Sequence, residues 1–328
     1  MIILGIDTSC DDTCVAVLEI KNGKLKIESN IVSSQVKLHA KYGGVYPMLA
    51  KREHQRNLPV VLRRATKNID ILKIDEIAVT VGPGLEPCLW QGINFAKELA
   101  EKLKKPLILV NHIEAHIAAN FIEWSPTSLK FPAVCLVVSG GHTQIILMKQ
   151  IGSYKLLGET RDDAAGECFD KAARILGLGY PGGPVIARLS TQWKSEIRST
   201  KSEIKLPRPM MHTKDYDFSF SGLKTAVLYK NQNAKIKNQN YKWAMAAEIQ
   251  QAIIDVLIYK TLKAAKDFKV KSIILGGGVS ANDELSRQFK LKIVNYKLKI
   301  DFFVPEKILC TDNAAMVAVA GYWHKREA

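Results

Sequence analysis

The chain has 328 residues, 47% of them apolar, enough for one large domain or two lobes with separate cores, and disorder is excluded as a default. Its 47 Lys and Arg outnumber 32 Asp and Glu; the net charge of +15 favours a polyanionic partner such as nucleic acid, although lysine spread over many faces of an isoleucine-rich chain is also what base-composition bias produces. No apolar run reaches the roughly 18 residues of a membrane helix, the MIIL start lacks a charged leader, and the six cysteines (Cys10, Cys14, Cys88, Cys135, Cys168, Cys310) form no CxxC pair, so a reduced, cytoplasmic chain is expected.

The first predicted element is the strand of MIILGIDTSCDDTCVAVLEI, which turns through DTSCDDT into a second strand. A helix-patterned stretch, QRNLPVVLRRATKNI, leads to the strand EIAVTVGPG, the helix INFAKELAEKLKK, the strand PLILV and a helix carrying His112 and His116. The same order then returns. FPAVCLVVSGGHTQIILMKQ is again strand, turn and strand, followed by the helix WAMAAEIQQAIIDVLIYKTLKAAKDF, the strand SIILGGG, the helix ANDELSRQFKLKI, the strand IDFFV and TDNAAMVAVAGYWH. Two duplicated α/β lobes of the actin, sugar-kinase and Hsp70 ATPase type with a ligand-binding interlobe cleft are therefore expected. The expected lobes are 1–125 plus 313–328, and 126–312 with a helical insertion at about 162–240, whose lysine-rich centre TQWKSEIRSTKSEIKLPRP reads as exposed helix and loop.

Four segments carry candidate chemistry. In DTSCDDT, Asp7, Asp11 and Asp12 offer carboxylates to a cation, a water or a proton, though tight turns favour these residues for backbone reasons alone. In VSGGHTQ, at the corresponding place of the second repeat, Gly140 and Gly141 let bare backbone approach an anion while Ser139 and Thr143 offer hydroxyls; a plain hairpin turn is the alternative, His142 included. LGGGVSAN follows a strand and opens a helix, so its N–H groups and the Asn282 amide can meet a nucleotide, or simply make a turn. GLGYPG, from Gly177 to Gly182, has the letters of a dinucleotide fingerprint but follows the helix-like ECFDKAARIL, so it reads as a helix stop and a turn that brings Gly182 and Gly183 near a ligand.

His112 and His116 share one helix face, and such a pair alone is as easily structural. Asp312 follows the last strand of the second repeat as His112 follows that of the first, so a carboxylate from the opposing lobe is expected to complete a two-His, one-carboxylate metal set. A zinc peptidase would need HExxH; here Glu114 lies two residues past His112, turned about 200° around the helix.

Taken together, GIDTSCDDT, KYGGVYP, GPGL, NHIEAH, VSGGHTQ, DDAAGECFDK, YPGGP, FSFSGLKTA, GGGVSAN and CTDNAAM resemble the tRNA N6-adenosine threonylcarbamoyltransferase family, formerly called the glycoprotease family, over nearly the whole chain. SGGHTQ, rather than the archaeal form with alanine and asparagine in its middle, points to the bacterial TsaD type. The resemblance implies transfer of a threonylcarbamoyl group from threonylcarbamoyl-AMP to the exocyclic amine of adenosine 37 in tRNAs reading codons that begin with A. It implies His112, His116 and Asp312 as ligands of one divalent metal, Fe2+ first and Zn2+ second. Val138, Ser139, Gly140, Gly141, His142, Asp170, Gly183 and Asn282 fall on its ligand-binding positions. Asp11 is the candidate base for the amine proton.

The implied partners are tRNA, an upstream threonylcarbamoyl-AMP synthase, an inactive paralogue that pairs with the N-terminal lobe, and a small ATPase subunit. Lys37, Lys41, Lys51, Arg52, Arg56, Arg63 and Arg64 are candidate tRNA-backbone contacts. The chain departs from the family pattern at Asp7 and Asp12, where Glu is common, at Met48 and Ala187, where acidic residues are frequent, and at Pro87 and Cys88. The competing readings are an ATP-dependent kinase or ATPase of the same fold, which would not need the His112, His116 and Asp312 set, and a metallopeptidase, which would need a base beside the metal.

Overall fold

The computed structural model describes residues 1–122, 129–196, 204–235 and 238–325. The chain divides into two compact units, Met1–Leu129 with Pro305–Ala328, and Lys130–Val304.

The first unit begins with an antiparallel meander of β1 (Ile2–Asp7), β2 (Asp12–Lys21) and β3 (Lys24–Ser34). Asn22 and Gly23 join the last two strands with φ of 52° and 75°, the left-handed pair that an Asn-Gly hairpin supplies at low cost. Helices α1 (Val36–Ala40) and α2 (Pro47–Ala65) follow, then β4 (Glu76–Gly82), α3 (Glu86–Leu103), β5 (Leu107–Asn111) and α4 (His112–Ala118). β4 lies parallel to β1 and β5 parallel to β4, giving the order β3-β2-β1-β4-β5.

In the second unit β6 (Ala133–Val138), β7 (Thr143–Gln150) and β8 (Ser153–Glu159) repeat the meander. Helices α5 (Ala165–Ile175), α6 (Gly182–Glu196), α7 (Ser221–Asn233) and α8 (Gln239–Asp267) precede β9 (Ser272–Gly276), α9 (Asp283–Asn295) and β10 (Asp301–Phe303). The order β10-β9-β6-β7-β8, with β6/β9 and β9/β10 parallel, is the first sheet's order over again. The expected duplication is thus present strand for strand. The chain returns through α10 (Lys307–Cys310) and α11 (Ala314–Lys325), both in the first unit.

Both faces of the first sheet are covered. Leu4, Ile6, Val15 and Val17 meet Leu58, Val61 and Ala96 of α2 and α3, while Cys14 and Ala16 meet Ala314 and Ala315 of α11. A strand covered on both sides has no reason to alternate with polar residues, hence the unbroken MIILGI. Ala314 reaches β1 because Gly5 has no side chain; a Cβ there would lie 2.1 Å from the Ala314 carbonyl oxygen.

The structure adds elements to the sequence reading and corrects one of its boundaries. β3 and β8, each the third strand of its meander, were not foreseen, because a mostly half-exposed edge strand lacks the apolar run that marked its neighbours. On either side of its lysine-rich centre the insertion joins the second core through Phe169, Ile186, Leu189, Phe218, Phe220 and Leu223, and residues 197–203 of that centre lie outside the described residues. Asp312, expected at the end of the second lobe, belongs to the first unit, since the chain crosses back after Val304 rather than after 312. Among the described residues no helix is long and apolar enough to cross a membrane.

Candidate functional site

Three structural devices bring His112, His116 and Asp312 together inside the first unit. Asn111 ends β5 and caps α4, its Oδ1 accepting the N–H groups of Ile113 at 2.8 Å and Glu114 at 3.3 Å. That cap makes His112 the first helical residue and sets His116 one turn on. Asn313 performs the same service for α11, accepting from the Met316 N–H at 3.0 Å while its amide donates to the carbonyls of Leu309 and Thr311. Cys14 Sγ donates to the Asp312 carbonyl at 3.6 Å. With α11 seated on Gly5, these contacts hold the Asp312 carboxylate at the C-terminal end of β1.

The two imidazoles converge on one oxygen. His112 Nε2 lies 3.5 Å and His116 Nε2 3.3 Å from Asp312 Oδ1, and the rings meet edge to face with centroids 4.5 Å apart. The three ligand atoms lie within 4.8 Å of one another. Ligands about 2.1 Å from a zinc-sized ion stand roughly 3 to 3.5 Å apart, so this spacing suits a metal. His116 is wholly buried, and neither of its ring nitrogens makes a hydrogen bond of good geometry. A buried polar atom in that condition is costly unless something else satisfies it, and an ion bound by Nε2 would. Burial also lowers the His116 pKa, keeping the ring neutral and its lone pair available.

Asp7 stands behind this cluster. It is fully buried, with Oδ1 3.8 Å from His112 Nδ1 and Oδ2 accepting from Ser9 Oγ at 3.0 Å. Burial raises its pKa to about 6 against the opposing pull of His112, with Asp312 adding to the rise. Asp11 and Asp12 share the same turn. Burial raises both, Asp12 to about 7, and the Asp312 charge raises each further. Asp11 Oδ2 and Asp12 Oδ1 are buried atoms without a hydrogen-bond partner. Cys10 and Cys14 are held well above the ordinary thiol value by burial and by these carboxylates, so neither offers a thiolate.

His54, in α2, holds the turn of Asp11 and Asp12 and was not among the residues singled out from the sequence. Wholly buried, it receives Thr13 Oγ1 at Nδ1 (2.8 Å) and reaches the Cys10 carbonyl from Nε2 (2.9 Å). Because a carbonyl only accepts, the proton sits on Nε2, and burial lowers the pKa so that the ring stays neutral. This side chain clamps both ends of the turn that carries Asp11 and Asp12. Its signal was available: His54 falls in phase with Ala50, Leu58, Val61 and Ala65 on the buried stripe of α2.

The second unit assembles its own expected residues. Val138 ends β6, and Ser139 to His142 form the turn into β7. Ser139 Oγ accepts the N–H groups of Gly141 and His142 at 3.3 and 3.1 Å, whereas a Cβ on Gly140 or Gly141 would meet nothing within 4 Å. Gly277, with φ of 85°, packs directly on Val138, where a Cβ would come 2.3 Å from its carbonyl oxygen. Asp170 Oδ1 accepts the Gly182 N–H at 2.7 Å and so fixes the start of α6 beside Gly183. Asn282 caps α9 by accepting from Glu284 and Leu285, and its amide donates to Gln250 Oε1 at 2.9 Å. Gly177 (φ 66°) and Gly179 (φ 86°) stop α5 and turn the chain into α6, as the rejection of a dinucleotide fingerprint requires.

Glu114, the residue a peptidase reading would want as a base, instead pairs with His324 of α11 at 2.8 Å. Cys88, one of the departures, is buried beneath the first turn, where its carbonyl accepts from Thr8 Oγ1 at 2.9 Å.

Two duplicated α/β units define a protein of the ATPase and sugar-kinase fold class, and its first unit carries a buried His, His, Asp cluster that could hold a metal ion. Solved structures of that fold agree: full-length HypF superposes with a TM-score of 0.63 at 12% identity, covering 99% of this chain, which spans 55% of that longer protein. Component A of the (R)-2-hydroxyglutaryl-CoA dehydratase of Acidaminococcus fermentans gives 0.55 at 14% over 100% of both chains, and a ROK family glucokinase from Streptomyces griseus gives 0.50 at 12% over 99% and 100%. At such identities the likeness concerns the fold alone. The family model for tRNA N6-adenosine threonylcarbamoyltransferase matches residues 26–319. Curated relatives of that name are 52% identical in Thermosipho africanus, over 98% of this chain and 94% of the relative, and 49% in Persephonella marina, over 100% and 91%. The chain belongs to the tRNA N6-adenosine threonylcarbamoyltransferase family and is a transferase.

Proposed function

We propose that this enzyme transfers the threonylcarbamoyl group of threonylcarbamoyl-AMP to the exocyclic amine of adenosine 37 in tRNAs that read codons beginning with A. The amine nitrogen bonds to the carbamoyl carbon, the bond from that carbon to the phosphate oxygen breaks, AMP leaves and the amine gives up a proton. The observation that carries this reading is the buried His112, His116 and Asp312 cluster in a chain of this family. A bound Fe2+, or Zn2+ in its place, would act there as a Lewis acid without redox change.

The rest is the work of the chain's own side chains. Ser9 orients Asp7 against His112, and His54 holds the turn that presents Asp11. Asp11 takes the amine proton; it has a buried oxygen without a partner, and single-turnover transfer at the wild-type rate by Asp11→Asn would remove it from that role. In the second unit the turn Val138 to His142, with Asp170, Gly183 and Asn282, binds the nucleotide portion. Asp170 and Asn282 act largely by holding backbone, since both already bond within the protein.

The partners follow the family: tRNA, the threonylcarbamoyl-AMP synthase, an inactive paralogue and a small ATPase, in the cytoplasm. The test is to incubate the protein and these helpers with threonylcarbamoyl-AMP and unmodified tRNA, then to analyse the nucleosides by mass spectrometry. N6-threonylcarbamoyladenosine is expected, and its absence with all components present would defeat the reading. A peptidase reading has no support, because Glu114 is engaged with His324.

A further inference from the structure

Between α1 and α2 the fold leaves two aromatic side chains in water. Tyr42 and Tyr46 are 54% and 56% exposed, with Met48 beside them at 50%. The two rings lie 5.9 Å apart with planes tilted by 33°, and Lys41 Nζ sits 5.0 Å from the Tyr42 ring centre. Residues 35–52 include Lys37, Lys41, Lys51 and Arg52 but no Asp or Glu; Met48 stands where an acidic residue would have balanced them.

The platform is tied to the reactive turn by buried bonds. Gln35 N donates to the Asp11 carbonyl at 3.1 Å. Gln35 Oε1 pairs with Nε2 of the fully buried His39 at 3.1 Å, and His39 Nδ1 accepts the Tyr46 N–H at 3.3 Å. Tyr46 and Asp11 are thus joined through two interior side chains, and Gln35 Nε2 also reaches the Ala50 carbonyl of α2 at 3.4 Å. Exposed rings alone would signify little; these stand on backbone bonded at Tyr42 N–H to the His39 carbonyl and at Tyr46 N–H to His39 Nδ1, and so tied to the turn that carries Asp11.

We propose that Tyr42 and Tyr46 form a stacking platform for an unpaired base of the RNA substrate close to the reacting adenosine, with the surrounding cations facing its phosphates. This rests on the tRNA-modifying reading above. Unpaired bases present π-faces that tyrosines bind whatever the base, and aromatic rings interleaved with Lys and Arg along a stretch without Asp or Glu are the chemistry that single-stranded RNA selects. A paired stem offers phosphates but no open base face, so it would use the lysines and leave the rings idle.

The experiment uses the full chain with its helpers. Affinity for a fluorescent anticodon stem-loop RNA is measured by anisotropy for wild type, Tyr42→Ala, Tyr46→Ala, and the Phe and Leu variants at each position. Each Ala variant should bind roughly tenfold more weakly, Phe should restore binding, and Leu should not. KM for tRNA should rise while bound metal stays at the wild-type level. Unchanged binding by both Ala variants, Leu performing as well as Phe, or no binding by the wild type would each overturn the platform. If the Ala variants bind RNA normally but no longer co-elute with a partner protein, the patch is a protein interface and the proposal fails. Failure of the wild type to modify tRNA that it demonstrably binds would instead defeat the proposed reaction and leave the platform standing.

Discussion

The turn Thr8 to Asp11 and the turn Ser139 to His142 occupy the same place in the two copies of one sheet plan, yet their surroundings are opposite. The first is crowded and acidic: Asp7 is fully buried, its neighbours press carboxylates against Asp312, and His54 clamps the turn from α2. The second is open and neutral: its glycines face empty space, and the Ser139 hydroxyl accepts from Gly141 and His142 of its own turn while its carbonyl accepts the Gly166 N–H of α5 at 3.1 Å. A duplicated scaffold therefore supplies two differently prepared turns, one that gathers carboxylates beside the His112, His116 and Asp312 cluster and one with open space around its glycines. The difference resides in a few loop residues and in what packs beneath them; the strand order is shared.

The largest effect expected from breaking this asymmetry is on metal. His116→Ala or Asp312→Ala should abolish metal content by elemental analysis and reduce transfer by more than roughly 100-fold, since loss of outer-shell partners alone costs 10 to 100-fold. Asn282→Ala, in the second unit, should leave the metal in place. His54→Leu should lower kcat with little change in KM for tRNA and cost about 1 to 3 kcal/mol of stability by leaving Thr13 and the Cys10 carbonyl unpaired; His54→Gln should recover part of both.

Glycine substitutions sharpen the packing side of the comparison. Gly5→Ala places a Cβ against the Ala314 carbonyl and should destabilise by about 1 to 3 kcal/mol or more in urea unfolding, whereas Gly140→Ala should stay within about 0.5 kcal/mol.

The pH response should also differ in sign between the units. Burial first, then Asp11 and Asp312, raise Asp12 from 3.8 to about 7 despite its bond from Ser34. Its contribution is present in full below pH 3.8 and is lost as pH rises through 7, so metal-free Asp12→Asn should be relatively more stable than wild type at pH 8 than at pH 4. Glu284 is the reverse case: burial alone would raise it, but Arg287, Lys194 and Gln288 hold it down from 4.5 to about 2. Its contribution is present above 4.5 and lost as pH falls through 2. Glu284→Gln should flatten that acid limb by roughly 1 to 2 kcal/mol, discounted because Arg287 is solvent-exposed.

The strand, turn and strand repeats, the helix of His112 and His116, and the pairing of that helix with Asp312 were all legible in the sequence. Each is a local period or a spacing, and the duplication converts spacing into spatial correspondence. β3 escaped because its half-exposed residues carry no clear apolar signal, although the Asn22-Gly23 turn announced it. His54 escaped because a histidine on an apolar stripe reads as core until its two partners, far off in sequence, are seen on either side of it.

The sequence by itself determined the two-unit α/β plan, the His112, His116 and Asp312 set as candidate metal ligands, and the family, because hydrophobic period, turn chemistry and motif spacing are properties of short stretches. Only the tertiary structure decided that Asp312 belongs to the first unit, that Gly5 lets α11 deliver it, that Glu114 faces His324, and that Tyr46 is tied to Asp11 through His39 and Gln35. Those facts depend on contacts between residues far apart in the chain, where packing and burial select partners that no local pattern specifies.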